Sequence, residues 1–373
     1  MLAPKIRSSI SALVLSVTSV VAIGISCTQE LLAQEKFKVG AALPLTGVIA
    51  EVGIAARNGI ELAKEQHPEL FTNLEFVYED SQWDPKSAVA AFNKLVQIDK
   101  VSLVFNWGNP TSEAVAPLAE ARKIPLLALS LDPSCARGRN YVIRFTNPSA
   151  DFSERLAKYL KAKGYKKLGV VVAQNTYVQG LLDGLKENLA DDQHVTTIAT
   201  FNLSDMDFRS AVLKVKSGSF DALGVFLISG QVSTFYRQLK QQQVNTPTFG
   251  TDFFESPVEI KSAGGAMDGA VYPHLGISPQ FEAQYKEKYK NDYQIAYAGN
   301  AYDLAVMLGT LFNAAPTGLS SEQILATLKS NKSSLTGVTG SAKYQHSSDG
   351  DSYFEFPIQL KRVENGGFLP ISE

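Results

Sequence analysis

FKVGAALPLTGVIAEVGIAARNGIELAKEQ, from Phe37 to Gln66, decides the fold of this chain. Phe37, Val39 and Ala41 lie in a short apolar run of strand character, which Pro44 and Gly47 break. Ile54, Ile60, Leu62 and Ala63 then recur among Arg57, Glu61 and Lys64 in the pattern of an amphipathic helix. A strand, a Pro/Gly loop and a long helix in that order place a helix N-terminus at the carboxyl end of a strand, where open α/β sheets hold small ligands. An ordinary βα unit without a ligand carries the same local pattern, so the neighbouring segments must decide.

The alternation continues outward. Strand-like runs LEFVYE, VSLVFN, IPLLALS, KLGVVVA, TTIATF, ALGVFLI and PTFGT are interleaved with helical runs such as SAVAAFNKLV, SEAVAPLAEAR, FSERLAKYLKAKG, VQGLLDGLKENL, FRSAVLKVK and VSTFYRQLKQQQ. Such alternation predicts an α/β fold of doubly wound parallel sheets with right-handed crossovers. A length of 373 residues exceeds one ordinary core and predicts two lobes. A net charge of −2 excludes the basic footprint of a nucleic-acid binder or of a protein held on an anionic membrane by charge.

Two further stretches, FVYEDSQWDPKSAVAAFNKLV (Phe76 to Val96) and VSLVFNWGNPTSEAVAPLAEARKIPLLALS (Val101 to Ser130), join the opening PLTG in a specific likeness. With IPLLALSLDP, YVIRFTNPSAD and the closing TGSAKYQHSSDGDSYFEFPIQLKRVENGGFLP, the chain from about Lys36 to Pro370 resembles the type I periplasmic solute-binding proteins of the leucine/isoleucine/valine-binding family. The resemblance implies two doubly wound lobes joined by three hinge crossovers, near Arg144 to Asn147, Pro273 to Gly276 and Thr336 to Gly340. Lobe 1 would comprise residues 36–145 and 275–337, and lobe 2 residues 146–274 and 338–373. The ligand would lie between the lobes, and hinge closure would capture it.

Asp84 before Pro85 has the order of a helix cap followed by the first helical residue, a structural pattern. Asn109 before Pro110 repeats it where a strand ends in the implied cleft, and the resemblance makes this loop the grip on a ligand carboxylate. Thr111, Ser112 and the first-turn amides offer donors there, and the helix dipole favours an anion. Trp107 is either an apolar or cation-binding wall or lobe packing. By the same match, Ser130 and Asp132 stand where relatives use a backbone carbonyl and a threonine hydroxyl. Asp132 departs from that pattern: it either faces the cleft as a carboxylate or caps a turn before Pro133. The match also carries over Tyr177 as an aromatic closing over the ligand and Asp252 as the acid facing a ligand ammonium, and it puts Ile228 where relatives have another ring. Phe253, Phe254 and Tyr272 could restore apolar surface. Two acids in the cleft would favour a ligand with an extra ammonium, an amide NH2 or a guanidinium.

His67, His194, His274 and His346 are scattered without metal-binding spacing, and no nucleophile elbow, Walker loop or dinucleotide fingerprint is present, so neither an enzyme nor a cofactor is expected. The adjacent acids Glu79 and Asp80, and Asp191 and Asp192, have the pattern of solvated loops. Lys5 and Arg7 precede an apolar run from Ile10 to Ile25, the pattern of a secretory signal over residues 1–33. Ser26 beside Cys27 resembles a bacterial lipoprotein cleavage site, with Cys27 lipidated. Gly24 stands where such sites usually carry Leu, so cleavage near Ala33 is the alternative and a Cys27 to Cys135 disulfide the third. The expectation is a monomeric extracytoplasmic binding component of an ABC transporter. Its partners would be a small amino acid, amide or other amine-bearing metabolite and a membrane permease, with the membrane touched only through a lipid anchor. A sensor or interaction lipoprotein that uses the same clamp to signal to a membrane receptor is the second reading.

Overall fold

The computed structural model describes residues 36–371 except 292, 316–317 and 331–334. The expected secretory signal and Cys27 lie outside the described residues. The first half-chain runs β1 (Phe37–Leu43), α1 (Ala50–Gln66), β2 (Leu74–Asp80), α2 (Pro85–Gln97), β3 (Leu103–Trp107), α3 (Asn109–Arg122), β4 (Leu126–Leu129) and β5 (Val142–Arg144). A second series repeats it: α4 (Ser149–Ala162), β6 (Lys167–Ala173), α5 (Thr176–Asn188), β7 (His194–Phe201), α6 (Arg209–Ser217), β8 (Ala222–Phe226), α7 (Val232–Gln241), β9 (Thr248–Gly250), α8 (Pro257–Ala263) and β10 (Val271–Leu275). The chain closes with α9 (Pro279–Tyr289), α10 (Ile295–Asn313), α11 (Ser321–Leu328), β11 (Leu335–Gly337), β12 (Gly340–His346), β13 (Ser352–Glu355), β14 (Ile358–Glu364) and β15 (Gly367–Ile371).

Two sheets result, ordered β11-β12-β13-β5-β4-β3-β1-β2 and β15-β14-β10-β9-β8-β6-β7. Within each, the five strands of the βα series are parallel, and β3, β1, β8 and β6 are buried along nearly their whole length, as strands covered by helices on both faces must be. The chain order reverses between β1 and β3 in one sheet and between β6 and β8 in the other. Those are the switch points outside whose carboxyl ends ligands bind in open sheets.

The third crossing differs from the expectation. β12 and β13 pair within the first sheet, β13 lying parallel to β5 at Tyr353 and Arg144, so the boundary between lobes falls at Phe356 and Pro357 and not at 337/338. Gly337 and Gly340 serve a hairpin instead. β11 turns directly into β12, and Gly340 supplies the positive φ of 97° the turn requires. The three connections are laced together. Asn147 donates Nδ2–H to the Phe356 carbonyl (3.1 Å) and accepts from the Phe356 amide (2.9 Å), while the Gly276 amide donates to the Pro357 carbonyl (2.8 Å).

Helix α10 is buried around nearly its whole circumference and packs along α1. Gly59 makes that contact close, since a Cβ there would fall on the carbonyl oxygen of Ala298. Gly59→Ala should therefore force the helices apart and cost about 1–3 kcal/mol, overpacking outweighing the small gain in helix propensity. A denaturant midpoint unchanged or raised in this variant would show that α1 and α10 can separate freely.

Candidate functional site

The loops at the carboxyl ends of both parallel series meet around one pocket. From the first sheet it is lined by Val52, Trp83, Trp107, Asn109 and Leu129, from the second by Tyr177, Asp252 and Phe253, and from the start of α10 by Gln294 and Tyr297.

Each side chain is placed by local chemistry. Asp84 accepts from the Ser87 amide at 2.8 Å and caps α2, and Trp83 just before it adopts a left-handed φ of 55°. Trp83 covers Gly108, whose own φ is 103° and whose missing Cβ would sit 2.9 Å from the Trp83 ring. Gly108, not Asn109, is the cap of α3. The Asn109 Oδ1 accepts from the Leu131 amide (2.9 Å) and the Ser130 hydroxyl (3.1 Å). An amide N–H can only donate, so the oxygen must face β4 and the Asn109 NH2 is left on the other side as a donor. Across the pocket, Asn175 caps α5 by accepting from the Tyr177 amide at 2.9 Å, which fixes where Tyr177 begins that helix.

Asp252 is the centre of the arrangement. It is 6% exposed, and its two carboxylate oxygens accept from two different hydroxyls, Tyr177 of α5 and Tyr297 of α10, the latter at 2.5 Å. Burial, reinforced by the Asp252 charge and the hydrogen bond to it, pushes both tyrosines well above the usual phenol range, so they remain neutral donors. Among the described residues Asp252 makes no ion pair. Tyr297 also packs edge-on against Trp107 (5.5 Å between centroids) and His274 (4.9 Å), and Tyr177 against Phe253 (5.7 Å). Behind this wall lies a buried polar cluster. Lys361 pairs with Glu255 at 2.5 Å, and Tyr272 donates to the same carboxylate at 2.8 Å. Burial works to raise the Glu255 carboxyl, but the Lys361 charge, with the hydrogen bonds from Lys361 and Tyr272, outweighs it and holds the group below its usual range. Burial pushes His274 down, toward its neutral form.

Of the residues singled out from sequence, Trp107, Asn109, Tyr177 and Asp252 come together in this pocket, joined by Phe253. Four others do not line it. Thr111 is buried beneath the α3 turn, its hydroxyl 2.5 Å from the Trp107 carbonyl and accepting from Asn106 Nδ2 at 3.1 Å. Ser130 is buried and holds Asn109, not the pocket. Ile228 packs in the core at the end of β8. Asp132 accepts from the Ser134 amide at 2.8 Å and caps the turn before Pro133, so the expected second acid is absent from the pocket wall and with it the case for an extra ligand cation. Phe254 and Tyr272 are core residues. Trp83, Gln294 and Tyr297 were missed. The first is the second of two consecutive left-handed residues, Gln82 and Trp83, that no local pattern announces, and the other two open a helix too uniformly apolar to show a face.

Among the described residues no helix is long and apolar enough to cross a membrane, and no group of three or more His, Cys, Asp or Glu could hold a metal. The model of the family described as periplasmic binding protein matches residues 36–367. The Leu/Ile/Val-binding protein BraC3 of Rhizobium johnstonii is 25% identical over 334 residues, covering 85% of this chain and 90% of that protein. In structure, the chain is similar to the leucine-binding protein LivK of Thermotoga maritima, with a TM-score of 0.80 and 22% identity over 90% of this chain and 98% of that one. A solute-binding protein of an ABC transporter from R. palustris in complex with benzoate gives a TM-score of 0.77 and 19% identity over 90% of this chain and 96% of that one. These relatives are solute-binding proteins, not enzymes. With a family match that runs almost from the first described strand to the last, and with a ring-lined pocket at the switch points of two like sheets, this chain belongs to the periplasmic binding protein family.

Proposed function

We propose that this protein captures a small amine-bearing solute, such as an amino acid, amide or other amine, between its two lobes and delivers it to an ABC permease. The observation that carries the reading is Asp252, a buried carboxylate in the pocket wall with two neutral hydroxyl partners and no cation paired with it among the described residues. A ligand ammonium supplies the missing charge through charge-assisted hydrogen bonds. The Asn109 NH2, whose amide oxygen is held by Leu131 and Ser130, is the donor for a carboxylate or carbonyl at the other end of such a ligand. An aromatic acid without a cation, the ligand class of the R. palustris protein, suits the rings but leaves Asp252 unpaired beside another anion. Because the ligand touches both lobes, it binds the closed arrangement better than the open one, and closure follows.

The test is a thermal-shift screen of the chain from about Gln34 against amino acids, amides, simple amines and benzoate, after denaturation and refolding to strip carried-over ligand. A solute at about 100 times its Kd stabilises the fold by roughly 2.7 kcal/mol. An amine hit supports the reading, a hit with benzoate alone overturns the amine assignment, and a flat screen overturns solute capture. Deleting the gene should abolish uptake of the same solute, while persistence of uptake with loss of a transcriptional or motility response would assign the clamp to sensing. Intact mass of the exported protein tests the Cys27 anchor, because a chain starting after Ala33 carries none.

A further inference from the structure

Two polar atoms of the pocket wall have no protein partner. The Trp107 Nε1–H is a buried donor with no acceptor, and the Gln294 Oε1 is a buried acceptor with no donor. Trp107 is 7% exposed and Gln294 2%, and both line the pocket that contains Asp252. Gln294 is held there by a left-handed backbone, φ 54°, one residue before α10, a conformation an ordinary side chain adopts only where its surroundings impose it. Trp107 is fixed by its edge-on contact with Tyr297, three residues beyond Gln294. Other buried polar atoms of the described residues also lack a partner, Asn106 Oδ1 and Asn300 Oδ1 among them; what singles out this donor and this acceptor, both uncharged, is that their residues line the pocket, where a group on the ligand can meet them.

Resting on the amine reading of Asp252, we propose that Trp107 and Gln294 read a second, neutral polar group of the solute, a hydroxyl or a carboxamide, and so select against purely aliphatic amines and amino acids. A hydroxyl has the chemistry for either atom, accepting from Trp107 Nε1–H or donating to Gln294 Oε1. A carboxamide does the same with its oxygen and its NH2. A methyl group of equal size leaves both buried atoms unpaired, which is why sites built to bond a hydroxyl or an N–H reject the analogue that lacks it far more strongly than an apolar slot rejects a missing methylene. A second ammonium is not called for, because both wall atoms belong to uncharged side chains.

The experiment is calorimetric titration of the refolded chain with three isosteric pairs: L-threonine and L-valine, L-asparagine and L-leucine, 1-amino-2-propanol and isobutylamine. In at least one pair the polar member should bind at least about tenfold tighter. Trp107→Phe and Gln294→Met each keep the bulk of the side chain and remove one polar atom, and each should bring that ratio toward one, whereas Asp252→Asn should weaken both members of the pair together. Equal or tighter binding of the apolar members, a ratio unchanged in both Trp107→Phe and Gln294→Met, or no binding by any of the six overturns the proposal. Binding of valine, leucine or isobutylamine as tight as that of its polar partner would do so while leaving solute capture standing, and a flat result across the wider screen would overturn both.

Discussion

Asp252→Asn lowers affinity for an amine solute by about 30-fold to several thousand-fold, the 2–5 kcal/mol lost when one partner of a desolvated, hydrogen-bonded charge pair is neutralised. The asparagine keeps an oxygen to accept from one of Tyr177 and Tyr297, so folding is largely retained and the loss is one of charge. Asp252→Ala is harsher. It removes the acceptor of both hydroxyls in a site where each is buried, and its stability falls by about 1–3 kcal/mol for each phenol left unpaired. Titration with the solute found in the screen separates the two effects. If the asparagine variant binds that solute as tightly as the parent chain, the carboxylate does not meet an ammonium and the amine reading is wrong.

Asp351→Ala has the largest expected effect on the fold. Arg144 is fully buried, and its guanidinium is paired with Asp351 through Nη2 and through Nε at 3.1 Å, with Tyr353 stacked over it at 5.1 Å. Removing the carboxylate strands a buried cation, for which about 3–5 kcal/mol is the usual loss, or a fall in Tm of roughly 6–15 °C. The damage reaches the pocket as well. Arg144 Nη1 donates to the Ser130 carbonyl at 3.1 Å, and the Ser130 hydroxyl in turn holds Asn109, so solute affinity should drop with stability. Arg144→Met combined with Asp351→Leu replaces the pair by apolar bulk and should be less destabilised than Asp351→Ala alone. A double variant as unstable as the single one would show that the arginine's other contacts, not the unpaired charge, carry the effect.

The parallel cores were legible because buried strands announce themselves as short apolar runs and helices as interrupted ones: KLGVVVA and ALGVFLI became adjacent central strands. Asp84 and Pro85 likewise read correctly, since a cap needs only four consecutive residues. Asn109 was found for an incomplete reason. It sits at the helix start where the pattern put it, yet Gly108 caps the helix and the asparagine's oxygen is spent on β4, a contact between residues 22 apart that no local pattern contains. Thr111 and Asp132 look the same in sequence whether they face a ligand or their own backbone, and here they face the backbone. The third crossing was misplaced because the pairing of β13 with β5 joins residues some 200 positions apart, while the glycines that suggested a bend earlier in the chain belong to a hairpin.

Lacing the three interlobe strands to one another has a mechanical result. Asn147 binds the first to the third through both faces of its amide, and the Gly276 amide binds the second to the third. Strands so tied should not twist independently, and the expected motion of the lobes is one swing about a common axis, like a door on aligned pins and not a bag on three strings. Such a swing would bring Tyr297 back to Asp252 along the same arc and assemble the pocket in the same register at each closing.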